Sequence, residues 1–352
     1  MQAAFITGPQ QIELREIPVP AVPEDGLLLR VEACGVCGSD LRRWNEGPLP
    51  GAAAVIPGHE AAGVVLETGP QCSGFTPGDR LAIAPDIHCG ACYYCRRGLF
   101  NLCDHLQLVG ITPGIHGAFA DQLVLTRRIL ENGIVHAMPA GMPFSEAAFA
   151  EPACSVLSVY QRFGVQFGET IVVIGAGPIG CLFTFLGKIR NARVIVSEAS
   201  AARRDIAARF QPDALLDPGA EDPVQRVREL TQGVGADLVI CANPVAATQT
   251  LAVEMVRKRG RVVLFGGLPK ADPMTRLDAN RVHYGEIEVA GAFSYHPVIH
   301  ETALDLIHRK IIPADRFITH TFPLEHIREA LAAAASATGL KVLVERERRL
   351  GT

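Results

Sequence analysis

The stretch TIVVIGAGPIG, residues 170–180, constrains this chain more than any other. An apolar strand runs into Gly175-x-Gly177-x-x-Gly180, and the helix-compatible stretch PIGCLFTFLGKIR follows. The next strand, RVIVSE, ends in Glu198, eighteen residues after Gly180. Three spaced glycines alone say little. Set after a strand, at the mouth of a helix, and before a strand that ends in an acid, they form a dinucleotide fingerprint. Gly175, Gly177 and Gly180 let the backbone approach a pyrophosphate. Pro178 and Ile179 open the helix, whose free amides and dipole favour an anion. Glu198 is placed to accept from the adenosine ribose hydroxyls and to repel a 2′-phosphate, which points to NAD over NADP. Arg203, just downstream, leaves room for NADP, although a solvated helix charge explains it as well.

The alternation continues through ALLD, DLVICA (237–242), GRVVLFGG (260–267) and IEVAGAF (287–293), with helical stretches around 201–210, 222–232 and 244–258. Six strands with crossover helices predict a doubly wound parallel sheet over residues 154–291. Gly266 ends its strand on the carboxyl edge, where ligands bind. Residues 268–286 show no element and are expected to form a loop.

The preceding 153 residues read differently. Short strands broken by Gly and Pro, such as IELREIPV, GLLLRVEACG, AAGVVLETG and DRLAIAP, predict a barrel-like β domain with little helix. Within it HCGACYYCRRGLFNLC places Cys89, Cys92, Cys95 and Cys103 at C-x2-C-x2-C-x7-C. Four thiolates so spaced close a tetrahedral structural zinc site in a lobe over residues 88–104. An iron–sulfur cluster is the competitor, but the bacterial ferredoxin run has three residues and then Pro around its fourth Cys, whereas here there are seven and then Asp104. Three further groups stand on polar interruptions expected to be turns: Cys37 in GVCGSD, His59 with Glu60 in PGHE, and Glu151 in EP. A thiol, an imidazole and a carboxylate suit an open zinc site with a position left for substrate. Taken singly, the Cys or the His reads better as a buried core side chain. The later histidines, His300 among them, show no metal-ligand pairing.

Composition narrows the partners. Net charge is −4 with both signs mixed, so no basic stripe exists for nucleic acid. No apolar run spans a membrane and no leader is recognisable, so a cytoplasmic location is expected, where clustered cysteines bind metal rather than pair. After residue 292 an amphipathic helix, HTFPLEHIREAL and the strand GLKVLVERE return the chain to its first domain.

GVCGSD, GHE, the four-cysteine lobe, EPACSV and GAGPIG, in that order, resemble the zinc-dependent medium-chain alcohol dehydrogenases, above all the sorbitol, threonine and polyol dehydrogenase branch. The resemblance implies an α/β chain made of a GroES-like catalytic domain (1–153 and 292–352) and a Rossmann coenzyme domain (154–291). It implies two zinc ions, a homodimer or homotetramer, and a small-molecule substrate. Cys37, His59 and Glu151 match the catalytic zinc ligands. Glu60 matches an adjacent acid that ligates zinc in some members, and Asp40 an acid that orients the ligand His. Ser39 matches the hydroxyl that passes on the alcohol's proton. Lys341 matches a basic residue near the coenzyme. Trp44, Phe119, Phe293 and Tyr295 match pocket positions.

Two departures stand out. Arg42 occupies the place of a proton-accepting His, with Arg43 beside it, and Ser294 replaces an Arg that binds polyol hydroxyls. The expected reaction is oxidation of a secondary alcohol of a polyol, sugar or cyclitol to a ketone, with hydride passed to NAD. Arg42 and Arg43 leave open an anionic sugar phosphate or sugar acid. A non-catalytic zinc- and dinucleotide-binding protein, or a zinc-free quinone reductase, is the reading from another class.

Overall fold

The structure, a computed structural model, describes residues 1–48 and 55–347. The chain divides into two compact units, Met1–Ser155 with Ser294–Thr352, and Val156–Phe293.

The second unit carries a six-stranded parallel sheet. Its spatial order is Ala214–Leu216, Arg193–Ser197, Thr170–Ile174, Ala236–Cys241, Val256–Leu264, Glu288–Gly291. The chain thus starts in the middle, winds outward, then returns and winds the other way, the doubly wound order expected of it. Strand side chains are apolar on both faces because helices cover both, and Ile171, Val172, Val173, Val194, Val196, Val239 and Val263 are sealed from solvent. The stretch expected to be a loop, 268–286, contains a helix at Ala279–Gly285. Asp278 caps it by accepting from the Arg281 N–H at 2.9 Å. ANRVHYG is only two turns long and has no apolar stripe, so periodicity could not expose it.

The first unit is built on a seven-stranded sheet in which Leu27–Gly35 is central. That strand pairs antiparallel with Glu60–Thr68, with Gln122–Leu125 and with the tail strand Lys341–Glu345. Glu60–Thr68 pairs in turn with Arg80–Ala84. Leu27, Leu29, Ala61, Val65, Leu81, Ile83 and Val342 fill the core beneath. This unit holds more helix than its sequence pattern shows. Gly38–Glu46 follows Cys37, and Phe144–Ala148 and Ala150–Phe163 follow one another across the unit boundary. In GSDLRRWNE only Leu41 and Trp44 are apolar, too few to register as a period. Capping starts the helix instead, since the Asp40 carboxylate accepts the Cys37 N–H at 2.9 Å. Glu151, expected on a turn, sits in the first turn of Ala150–Phe163. No helix among the described residues is long and apolar enough to cross a membrane.

Candidate active site

Strand registers assemble the site at one edge of the first unit's sheet. Gly35 pairs with Glu60, so the residues just beyond, Cys37 and His59, leave the sheet side by side. Leu343 pairs with Gly35, which places Lys341 against the same corner, and the Val36 N–H donates to Val342 O at 2.9 Å. Ala61 pairs with Ile83, so the chain following Ala84 brings Asp86 to this edge as well. The ligand atoms of Cys37, His59 and Glu60 lie within 4.8 Å of one another. A thiol, an imidazole and a carboxylate so close are a donor set suited to zinc.

Charge is concentrated there. Asp40, His59, Glu60, Asp86, Glu151 and Lys341 are all buried. Lys341 Nζ donates to both Glu60 oxygens, at 2.7 and 2.6 Å, and to Val36 O at 3.1 Å. Burial works against the ammonium, but Glu60 together with Cys37 and Glu151 holds its pKa above the ordinary value. Lys341, expected near the coenzyme, pairs its ammonium with Glu60 within the first unit. Burial also opposes charge on His59, yet Asp40, Cys37 and Glu151 raise its pKa well above the usual value. Asp40 Oδ1 stands 3.7 Å from His59 Nδ1, an ion-pair distance, while its hydrogen bonds go to the Cys37 and Gly58 amides.

Glu151 lies outside the tight Cys37–His59–Glu60 group. Burial, with the nearby Glu60 charge, raises its pKa to about 7. The Tyr295 hydroxyl donates to Glu151 Oε1 at 2.8 Å. Tyr295 was expected as a pocket wall; it is 1% exposed and serves as the partner of that carboxylate. Phe119, also expected in the pocket, has no exposed surface and belongs to the first unit's core. Trp44 is half-buried against that core, Arg42 is exposed and Arg43 half-buried. Phe293 is exposed, within the second unit. The Ser39 hydroxyl is sealed from solvent with no partner among the described residues, a buried polar group whose hydrogen bond must come from something else.

The cysteine lobe is preformed. Its four sulfur atoms lie within 4.8 Å of one another, and Cys89 Sγ stands 3.9 Å from Cys95 Sγ. A tetrahedron with Zn–S bonds of about 2.3 Å has edges of about 3.8 Å, so the cage fits zinc. Backbone amides of Cys89, Cys92, Cys95 and His105 donate to these sulfurs. The Cys95 amide lowers the Cys92 pKa to about 6, which favours the ligating thiolate.

In the second unit Gly175 has φ +102°, and a Cβ at Gly180 would lie 1.9 Å from Gly175 O. Both positions therefore require glycine. A Cβ at Gly177 would meet nothing, so the helix mouth Pro178–Ile189 is open to a ligand. Glu198 is tied into this cradle. Its Oε2 accepts the Ala176 N–H at 2.7 Å and its Oε1 the Ser200 N–H at 2.8 Å. Each oxygen keeps a lone pair for a further donor. Arg204 is occupied by Asp217 and by the Glu198 and Ala199 carbonyls, while Arg203 lies half-buried on the same helix. A Cβ at Gly266 would lie 2.2 Å from Asn243 O, so this glycine is needed where two strands end.

Residues 23–133 match the alcohol dehydrogenase GroES-like domain and residues 178–309 the zinc-binding dehydrogenase family. A sorbitol dehydrogenase of Bombyx mori is 30% identical over 97% of both chains. A D-arabitol-phosphate dehydrogenase of Enterococcus avium is 29% identical over 96% of this chain and 95% of its own. The solved structure of a zinc-binding dehydrogenase from Sinorhizobium meliloti 1021, bound to NADP, superposes with a TM-score of 0.88 at 30% identity, covering 98% of each chain. The chain belongs to the zinc-dependent medium-chain alcohol dehydrogenases, in the branch of the sorbitol and polyol dehydrogenases. It is an alcohol dehydrogenase that works with zinc and a nicotinamide dinucleotide.

Three features escaped the sequence reading. Asp86 was missed altogether, although an aspartate directly after the apolar LAIAP, three residues before Cys89, was a visible signal. The roles of Lys341 and Tyr295 depend on partners 281 and 144 residues away, and no local pattern reports those.

Proposed function

We propose that this dehydrogenase oxidises a secondary alcohol of a polyol, sugar or cyclitol to the ketone, and reverses the reaction, with NAD preferred over NADP. The observation that carries the reading is the convergence of Cys37, His59 and Glu60 within 4.8 Å, with Glu151 held beside them by Tyr295. Cys37, His59 and one of Glu60 or Glu151 would hold the catalytic zinc, and Cys89, Cys92, Cys95 and Cys103 the structural one. Bound there, zinc supplies Lewis acidity toward an alcohol oxygen, and NAD supplies the hydride acceptor.

The chain's own residues do the rest. Asp40 fixes the Cys37 turn and faces His59, restraining the ring. Lys341 neutralises Glu60, which leaves Glu151 as the carboxylate free to ligate. The Ser39 hydroxyl, which has no partner among the described residues, takes the alcohol's proton and passes it onward to a group other than Arg42, which cannot act as a base. Gly175, Gly177 and Gly180 admit the pyrophosphate to the helix mouth, and Glu198 offers its remaining lone pairs to the ribose. We read the chain as a cytoplasmic homodimer or homotetramer, which sedimentation of the purified protein checks.

The test is a panel of polyols, sugars, cyclitols and their phosphate esters with NAD and with NADP, followed by the absorbance of the reduced cofactor. Turnover of neutral polyols with NAD supports the reading. Turnover confined to phosphate esters, or no turnover of any secondary alcohol, overturns it.

A further inference from the structure

Beside the ligands, the site contains a further carboxylate that the reaction above leaves unused. Asp86 follows the strand Arg80–Ala84 and is only 6% exposed. Its Oδ2 accepts from the Ser294 hydroxyl at 2.5 Å. Its Oδ1 has no protein partner among the described residues, and neither Lys nor Arg pairs with it there. Ser294 and Tyr295 are successive residues, and the Tyr295 hydroxyl donates to Glu151 Oε1 at 2.8 Å, which places Asp86 at the same corner. A buried carboxylate lacking a cation is costly to keep unless something else completes it.

The neighbouring backbone links this carboxylate to Glu151. Ser294 adopts φ +49°, the left-handed region that non-glycine residues avoid. This conformation lets two successive residues serve two carboxylates, Ser294 on Asp86 and Tyr295 on Glu151.

We propose that Asp86 and Ser294 form a donor-seeking pole of the alcohol pocket. It takes a hydroxyl, or preferentially an ammonium group, on a carbon near the reacting carbinol, and it works against a phosphate or carboxylate there. The inference rests on the proposed polyol reaction and names the substrate class within it: a polyol or amino-polyol rather than a sugar phosphate. Oδ1 supplies the free acceptor, and Ser294 fixes the carboxylate's orientation through Oδ2. An ammonium completes the buried charge best, because charge-assisted hydrogen bonds are the strong ones.

Steady-state kinetics with NAD test this on three related substrates: a neutral polyol, its amino-deoxy analogue and its phosphate ester. For Asp86→Asn the expected losses in kcat/KM are about 100-fold for the amine and about 10-fold for the polyol, with no loss for the phosphate ester. Ser294→Ala should rank the substrates the same way with smaller losses, and it carries the test if Asp86→Asn does not fold. Zinc content should stay at the wild-type level in both. Equal losses on all three substrates make Asp86 a structural residue and overturn the proposal, as does a wild-type preference for the phosphate ester. Failure of the parent reading shows itself separately, as wild-type enzyme that oxidises no secondary alcohol, and it takes this inference with it.

Discussion

Replacing Lys341 with Met removes an ammonium while keeping most of the side chain's volume. Lys341 and Glu60 have side-chain exposures of 5% and 1%, and the ammonium makes three contacts of 2.6, 2.7 and 3.1 Å. Without it Glu60 is left buried beside Cys37, His59 and Glu151 and loses its ion-pair partner. Breaking a buried pair from one side costs about 3–5 kcal/mol, most of it the penalty of the orphaned charge. With a urea slope of about 2–3 kcal/mol per molar, the midpoint should fall by about 1–2 M. The chain's single tryptophan, Trp44, lies in the first unit, on the helix that follows Cys37, so its fluorescence reports the relevant transition. Adding Glu60→Gln to Lys341→Met removes the orphaned charge and should restore about half of the loss, a non-additivity that defines coupling. Excess zinc should shrink the Lys341→Met loss by offering Glu60 another cation. A loss under about 1 kcal/mol, or strict additivity in the double variant, would refute the reasoning.

Other outcomes follow from the same structure. Tyr295→Phe deprives Glu151 of its donor, so the pKa, already raised to about 7 by burial, rises further; the pH at which catalytic zinc is lost on acidification should move up by about 1–2 units, read by zinc release. Gly180→Ala drives a methyl into Gly175 O and should weaken NAD binding by tenfold or more while zinc content holds, read by calorimetric titration. His300 is fully buried against His136, and burial lowers its pKa to about 3. The folded state therefore binds this proton later than the unfolded chain, whose histidine titrates near about 6.5. Stability is intact above that pH and should fall by about 1.4 kcal/mol per unit as pH drops toward 3. His300→Gln should flatten that slope in urea titrations across pH.

The doubly wound sheet was legible because each of its strands is a short, dense run of Val, Ile and Leu, and because the glycines that open Pro178–Ile189 are demanded by close backbone approach. The cysteine lobe was legible because its four ligands are local. Elements held by capping rather than by apolar period were not. Gly38–Glu46 and Ala279–Gly285 each depend on one aspartate at the start, and Glu151 was taken for a turn residue because Glu-Pro interrupts an apolar stretch, although Pro is well tolerated in a helix's first turn. Cys37, His59 and Glu60 could be picked out as candidate ligands and their roles taken from the resemblance, but their partners could not. Lys341 reaches Glu60 only through the register of the tail strand on Leu27–Gly35, and Ser294 meets Asp86 across 208 residues of sequence. Phe119 shows the opposite error: an aromatic at a pocket-like position that the sheet buries as core.

Metal content measured together with turnover bears most directly on the central claim. The wild-type chain should carry two zinc ions, one for each ligand group. Cys37→Ser should keep only the lobe's zinc, lose secondary-alcohol oxidation and still bind NAD. Substantial turnover in Cys37→Ser, or a wild-type chain that is active with zinc in the lobe alone, would contradict the account.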